Sequence, residues 1–253
     1  MGRTIAIGNR KGGSGKTTTS VNLAAALAHK GRKVLLVDAD AQGHSALSLG
    51  STVTPGQKTL FDVLVNGVEP EETVRSTYLS TFHLIPGGSR LATYERDHAT
   101  DPSARLRLAE RLDSMRERYD YVLIDTPPTL GLMTICSLIA STDVLVPMQA
   151  HFLAMEGLAE TIRVLGGIEK YYHSAVRLLG VIPTFYQANA RLSRAIIGQI
   201  RDRLGESAVL HPIRTNIALA EAPSHGMTIF QYQPRSNGAY DYLHLANQVE
   251  NLS

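Results

Sequence analysis

The sequence lacks the features that mark several classes of protein. It has a single cysteine, Cys136, so no disulfide can form within the chain, and one thiolate per chain is too few for an iron–sulfur cluster, even in a dimer. Its nine histidines are scattered without the spacing of a zinc site. No apolar run approaches the ~20 residues of a membrane-spanning helix, and the start of the chain is too glycine-flanked for a signal peptide. These absences favour a protein of the reducing cytoplasm.

Length and charge set further bounds. The 253 residues fit one large α/β domain that spans 1–253. The formal net charge is only +2, so composition does not name nucleic acid as a partner. Any such site has to be a local basic patch.

Short apolar runs alternate with longer helical patterns along the chain. Strands are predicted at 5–8, 33–38, 82–86, 121–125, 143–147 and 178–182, and helices at 17–30, 103–118, 153–171, 190–204 and 237–251. The strands lack strict alternation of apolar and polar residues, which is typical of strands covered on both faces. The predicted fold class is therefore α/β, with a doubly wound, mostly parallel sheet and helices on both faces. Prolines and glycines interrupt residues 51–81, where loops with short helices are expected.

The strongest local signal is a glycine-rich loop between the first strand and the first helix. The run Gly15-Lys16-Thr17 in this position is typical of a P-loop, whose backbone wraps around phosphates. The residues expected to bind nucleotide here are Gly12, Gly13, Ser14, Gly15, Lys16, Thr17 and Thr18. Lys16 would neutralise the β- and γ-phosphates of ATP, and the Thr17 hydroxyl would help to hold Mg²⁺. Arg10 stands where the usual pattern has its first glycine.

Three aspartates follow predicted strands. Asp125 ends the apolar run 121–125, the arrangement of a Walker B carboxylate that lies near Mg²⁺. Asp38 and Asp40 follow the second strand, and the carboxyl ends of parallel strands meet at the ligand-binding edge of such sheets. A strand-terminal aspartate is common by itself, but three together with the P-loop indicate a nucleotide-hydrolysing site.

Several segments resemble the ParA family of DNA-partitioning and cargo-positioning ATPases. The loop resembles that family's deviant Walker A motif, in which a lysine, here Lys11, precedes the two glycines. The other matching segments are Thr18–Ala24, Asp38–Gly43, Asp125–Pro128, Phe152–Leu158 and Glu221–Gly226. The resemblance extends from residue 5 to 245 and is weakest at 51–101. Since no helix-turn-helix precedes the first strand, the short form of the family is expected, a P-loop NTPase without sequence-specific operator binding.

The resemblance implies a cycle driven by ATP and Mg²⁺. In that family the lysine equivalent to Lys11 reaches the partner's nucleotide, so ATP would join two subunits into a homodimer. Asp40 would orient or activate the attacking water, and Asp38 would support the Mg²⁺ shell or Lys16. The nucleoid-associated dimer would bind double-stranded DNA nonspecifically until a ParB-like or analogous protein stimulates the otherwise slow hydrolysis. Pro212 and Arg214 would line the adenine, by resemblance only.

A candidate DNA surface lies on the predicted helix 190–204. The residues predicted to contact DNA are Arg191, Arg194 and Arg201 on this helix, with Arg214 and Arg235 beyond it. At ~100° per residue the three helical arginines fall on one stripe. The residues expected to pack on the sheet are Leu192, Ile196, Ile200 and Leu204. For any single arginine, an ordinary solvated position is the alternative.

Two other functions remain open. A MinD-like positioning ATPase shares the loop but attaches to membrane through a basic amphipathic helix, and no lysine or arginine follows Arg235. We therefore expect no membrane attachment. A nucleotide-binding scaffold without hydrolysis would keep Lys16 and Thr17 but would not need Asp40. For Lys11 itself, an ordinary solvated position in the loop is the alternative.

Overall fold

One seven-stranded sheet organises the computed structural model, which describes residues 2–150 and 154–252. The strands are β1 (Arg3–Ile7), β2 (Val34–Asp38), β3 (Arg75–Ser76), β4 (Phe82–Ile85), β5 (Tyr121–Asp125), β6 (Asp143–Gln149) and β7 (Arg177–Thr184). Their order across the sheet is β3-β4-β2-β5-β1-β6-β7. All neighbours are parallel except β3, which pairs antiparallel with β4 at one edge. The predicted mostly parallel sheet is confirmed.

Helices connect the strands and cover both faces. Within the described residues they are α1 (Lys16–His29), α2 (His44–Ser48), α3 (Leu60–Val65), α4 (Arg90–Asp97), α5 (Arg107–Arg111), α6 (Asp113–Arg118), α7 (Leu132–Ile139), α8 (Ala154–Tyr172), α9 (Arg191–Leu204), α10 (Ile217–Glu221), α11 (Ile229–Tyr232) and α12 (Asn237–Asn251). Short 3-10 turns lie at Pro70–Thr73, Ser103–Arg105, Glu206–Ala208 and Ala222–His225.

Alternate residues of each strand serve opposite faces of the sheet. In β1, Ile5 and Ile7 pack with α1 and α12, whereas Ala6 packs with α8 and α9. In β2, Leu36 points to the α1 side and Leu35 to the side of α3 and α7. Because both faces are covered, strand residues of both parities are apolar, which explains the lack of alternation in the sequence.

The C-terminal helix α12 is part of the core. Its residues Tyr242, Leu245 and Val249 are buried in the cluster that α1 shares, and the Tyr242 hydroxyl lies 3.3 Å from that of Thr19 in α1. The apolar face of α12 is therefore occupied by the protein's own interior. None of the helices in the described part of the chain is long and apolar enough to cross a membrane.

One predicted helix was wrong, and two helices of eight residues were missed. The helix predicted at 103–118 is divided into a 3-10 turn, α5 and α6. At the first break the Ala104 carbonyl accepts hydrogen bonds from the Tyr94 hydroxyl (2.8 Å) and the Cys136 thiol (3.4 Å), partners that lie on other helices. Helix α4 was missed, in the stretch between the strand predicted at 82–86 and the helix predicted at 103–118. Helix α7 was also missed; it has only eight residues, and most of them are apolar.

Candidate nucleotide site

The register of the sheet brings the predicted loop and carboxylates to one edge. Asp38 in β2 and Ile7 in β1 both pair with Asp125 in β5, so the three strands end at the same level. The P-loop leaves β1 immediately after this point. This is the carboxyl edge of a parallel sheet, where ligands bind in open α/β folds.

The P-loop is shaped by two glycines and braced by β7. Gly13 and Gly15 have φ angles of 71° and 87°, which side chains with a Cβ rarely adopt. A Cβ at Gly13 would meet no atom within 4 Å, so this side of the loop is open. On the other side, the Thr184 hydroxyl donates to the Ser14 carbonyl at 2.9 Å. The Ser14 hydroxyl is buried and has no hydrogen-bond partner among the described residues.

The two lysines of the loop differ in environment. Lys16, at the start of α1, is 8% exposed, and its Nζ donates to the Lys11 carbonyl at 3.2 Å. Burial lowers the pKa of Lys16, and the negative charges of Asp125 and Asp40 oppose that effect. The Lys11 side chain is exposed at the surface of the loop. Only Lys16 therefore belongs to the buried centre of this subunit's own site.

Asp125 lies at the centre of a group of hydroxyls. Its carboxylate accepts hydrogen bonds from the hydroxyls of Ser20 (2.9 Å) and Ser45 (2.8 Å). Burial raises the pKa of Asp125, and the nearby hydroxyls of Thr17, Ser45 and Ser20 oppose that effect. The predicted metal ligands Thr17 and Asp125 therefore lie near each other, and their role in holding Mg²⁺ stays a prediction. Ser20 and Ser45 were not predicted, because they come from the second turn of α1 and from α2.

Asp38 holds the loop that follows β2. It is completely buried and accepts backbone N–H groups of Asp40 (3.1 Å), Ser45 (3.0 Å) and Ala46 (3.4 Å). Burial raises its pKa well above the usual range, and the neighbouring charge of Asp125 adds to this. The structure therefore gives Asp38 a clear role in loop geometry, and its predicted role in the Mg²⁺ shell stays a prediction.

Asp40 lies two residues beyond Asp38, in the loop that follows β2. It is 8% exposed, and its Oδ1 accepts the Gln42 N–H at 2.9 Å, which fixes the orientation of the carboxylate. Its charge is close enough to act on the pKa of Lys16. This position suits a group that orients a water molecule next to phosphate, although the catalytic role stays a prediction.

The segment predicted to line adenine lies beside the loop. Ile213 donates its N–H to the Pro183 carbonyl at 2.8 Å, next to Thr184, so Pro212 is near the strand end that braces the P-loop. Arg214 has another partner: its guanidinium forms two-pronged bonds to the buried carboxylate of Asp241, with Nη2 at 2.7 Å. The predicted contacts of Arg214 with nucleotide and DNA stay predictions, and the Asp241 pair anchors it to α12.

The predicted DNA surface differs in part from the one that the structure shows. Arg191, Arg194 and Arg201 are exposed on α9, and Arg235 is exposed before α12, but Arg201 forms an ion pair with Glu206 at 3.1 Å. The expectation that Leu192 packs on the sheet was wrong, since this side chain is 52% exposed. The residues of α9 that face the core are Ser193, Ile196, Ile197 and Ile200.

Other motif residues have packing roles. Asn22 accepts the Ile229 N–H at 2.8 Å and donates to the Thr18 carbonyl, which ties α1 to α11. In the segment Glu221–Gly226, Gly226 approaches Gly50 so closely that a Cβ would lie 2.7 Å from its Cα. Of the segment Phe152–Leu158, residues 152 and 153 lie outside the described residues, and Leu158 is buried on α8. Arg10, in the usual glycine position, forms an ion pair with Glu160 of α8.

The fold and the site define a P-loop ATPase. Residues 2–178 match the family model described as an AAA domain. The chain is 38% identical over 249 residues to the sporulation initiation inhibitor protein Soj of Bacillus subtilis, with 98% of each chain covered. It is 35% identical to the chromosome partitioning protein ParA of Caulobacter vibrioides, with 98% of this chain and 93% of the relative covered.

Solved structures show the same relationship. The apo McdA structure from Cyanothece superposes with a TM-score of 0.88 at 26% identity and covers 100% of this chain and 99% of its own. A cobyrinic acid a,c-diamide synthase from Mycobacterium smegmatis, solved with an ATP analog and magnesium, has a TM-score of 0.85 at 31% identity, with 99% and 95% covered. The chain belongs to the ParA family of partitioning ATPases.

Proposed function

We propose that this ATPase is a dimerisation switch, which binds DNA without sequence preference when it holds ATP and releases it when a partner protein stimulates hydrolysis. The observation that carries the proposal is the contrast between the two lysines of one loop. Lys16 is buried against the P-loop and the carboxylates, whereas Lys11 is exposed on the outer side. In this proposal Lys16 supplies the countercharge for the phosphates of its own subunit, and the exposed Lys11 supplies one for the nucleotide of a neighbouring subunit.

The site fits ATP and Mg²⁺ on its own chemistry. The loop has an open glycine side and a buried Ser14 hydroxyl without a partner among the described residues, which suits a phosphate oxygen. Asp125 and Asp38 are buried carboxyls with raised pKa values, and a cation would favour their ionised forms. Bound Mg²⁺ supplies a Lewis acid that neutralises charge on the transferred phosphoryl group. Relatives solved with an ATP analog or ADP and magnesium support the same assignment.

Each of the main site residues then has a defined role. Thr17 and Asp125 would hold the metal, and Lys16 would exchange its bond to the Lys11 carbonyl for bonds to phosphate oxygens. Asp40, oriented by the Gln42 N–H, positions the attacking water and accepts its proton. Asp38 keeps the loop that carries Asp40 in place through three backbone N–H groups.

The dimer connects nucleotide to DNA. Exposed Arg191 and Arg194 on α9 form a small cationic surface, which makes few phosphate contacts in a monomer. Two copies on one dimer bind one duplex together, and linked contacts raise the affinity by far more than twofold. ATP therefore controls DNA binding through the oligomeric state. The similarity to chromosome-partitioning proteins is consistent with DNA as the molecule that is bound in this cycle.

Phosphate release separates this enzyme from a scaffold that only binds nucleotide. The parent with Mg²⁺ and ATP should release phosphate slowly, and faster with DNA and its stimulating partner. Asp40→Ala should bind ATP normally and lose turnover by at least about 100-fold, because it lacks the group that orients water. Gln42→Ala, in the same loop, is the matched control and should retain most of the activity. Turnover in Asp40→Ala equal to that of the parent would remove Asp40 from the mechanism.

A further inference from the structure

Helix α4 reaches the start of α7 through one carboxylate. Glu95 accepts the backbone N–H of Met133 at 3.0 Å. Met133 is the second residue of α7, whose first N–H groups have no partners within the helix. A carboxylate at this end also meets the positive end of the helix dipole. Glu95 therefore closes the N-terminus of the helix that follows the loop after Asp125.

Gly131 shows independently how close this contact is. A Cβ at Gly131 would lie 2.4 Å from the Glu95 carboxylate oxygen. The backbone of Gly131 has φ −93°, which any residue adopts. A side chain at this position would therefore displace the Glu95 carboxylate, although the conformation of the loop itself would accept one.

The segment before α4 contacts the loop that follows β2 and carries Asp40. A Cβ at Gly87 would lie 2.5 Å from the Asp38 carbonyl oxygen and 2.7 Å from that of Asp40. Leu91 and Tyr94, both 1% exposed, hold α4 in the core between these two contacts. One short stretch, 87–97, thereby joins the loop that carries Asp40 to the loop that follows Asp125.

We propose that Glu95 is a positioning residue for ATP hydrolysis. It holds the start of α7, and through it residues 126–131, in a fixed relation to the Asp40 loop. Since Glu95 is on neither the P-loop nor the loops that carry Asp40 and Asp125, its loss should change the rate of hydrolysis and leave nucleotide affinity unchanged. The inference rests on the proposed hydrolysis and assigns a role to residues 87–97, for which the sequence suggested none.

The test compares kcat with KM in a set of variants. Glu95→Ala should lower kcat about tenfold at unchanged KM, as expected for a small displacement of catalytic groups. Glu95→Gln keeps an oxygen that accepts the Met133 N–H and should recover most of the rate. Asp97→Ala, an exposed acidic residue on the same helix, is the matched control and should behave as the parent.

A double-mutant cycle with Gly131 tests the contact itself. Gly131→Ala should lower kcat in the parent, but should cost little more in the Glu95→Ala background, where the obstructing carboxylate is gone. Additive losses in kcat would overturn the proposal. So would a Glu95→Ala variant with the parent's kcat, or one in which Glu95→Gln gives no recovery.

Hydrogen exchange distinguishes failure of this inference from failure of the proposed function. Without nucleotide, the Met133 amide should exchange faster in Glu95→Ala than in Asp97→Ala. A parent that releases no phosphate overturns the proposed function and, with it, the role of Glu95 in hydrolysis. Unchanged Met133 exchange in a parent that does hydrolyse ATP overturns the Glu95 inference alone.

Discussion

The Nζ of Lys16 donates to the carbonyl oxygen of Lys11 at 3.2 Å, so the buried lysine of the P-loop is bonded to the backbone of its exposed neighbour. The ammonium group thereby has a polar partner in a pocket where burial lowers its pKa. Phosphate oxygens offer a stronger, charged partner in the same position. We therefore propose that nucleotide binding exchanges the partner of Lys16 within a loop that is already formed.

Removal of Lys16 is expected to abolish nucleotide binding. Lys16→Ala deletes the main countercharge of the phosphates and should weaken ATP affinity by at least about 100-fold, as loss of a charged buried contact does. Isothermal titration calorimetry with Mg²⁺ and ATP measures the effect.

Lys11→Ala is the matched control from the same loop, because its exposed side chain lies outside the subunit's own buried site. It should bind ATP within a few-fold of the parent. Equal affinity of the parent and Lys16→Ala would contradict the assignment of the loop.

The buried carboxyls should make stability depend on pH. Burial raises the pKa of Asp38 and of Asp125 in the folded state, so the folded chain binds protons more tightly than the unfolded chain. The free energy of unfolding without nucleotide should therefore fall as the pH rises from about 4 through the raised values, by up to about 1.4 kcal/mol per pH unit for each titrating carboxyl.

In Asp125→Asn the free energy of unfolding should decrease less as the pH rises, and the variant should be more stable than the parent near pH 8. Its hydrogen-bond partners are hydroxyls, which accept as well as donate, so asparagine fits the site without the charge. Urea unfolding from pH 5 to 8 tests this, with the exposed Asp97→Asn as the control that should keep the parent's slope. A stability that rises with pH over this range in the parent, but not in Asp125→Asn, would refute the argument.

The basic surface of α9 should determine the salt dependence of DNA binding. Arg191→Ala/Arg194→Ala, prepared in the Asp40→Ala background with ATP, should bind random duplex more weakly. Each lost phosphate contact should lower the log–log slope against salt by roughly 0.9. A fluorescence-anisotropy salt titration measures both quantities.

Arg203→Ala is the matched control, because Arg203 is exposed on the same helix but lies away from the stripe. It should retain the parent's slope. If the double variant keeps the parent's slope and affinity while still forming a dimer, α9 is merely a solvated helix and the DNA site lies elsewhere.

The sequence alone was sufficient to predict those parts of the site that are formed by residues close together along the chain. The P-loop between β1 and α1 and the aspartates at the ends of β2 and β5 follow from local patterns, and parallel register brings them together. Contacts between distant segments were not predictable. Thr184 bonds to Ser14 across 170 positions, and Glu95 meets Met133 across 38, and no local pattern marks either of them.

Exposure was the least predictable property. The periodicity of 190–204 correctly gives a helix, but it placed Leu192 on the buried face, whereas this side chain is half exposed. The same limit applies to Arg214, whose sequence neighbours gave no sign of its pairing with Asp241 on α12. In both cases the environment of the side chain depends on how another element of the fold packs beside it. The periodicity of a segment describes that segment alone.

The central claim is that ATP joins two subunits, and the most direct test is the mass of the hydrolysis-deficient Asp40→Ala variant in solution. Multi-angle light scattering should give the monomer mass with ADP and twice that mass with ATP and Mg²⁺, while Lys11→Ala in the same background stays monomeric with ATP. The same mass in both nucleotide states would contradict the switch, whether the protein were a constant monomer or a constant dimer.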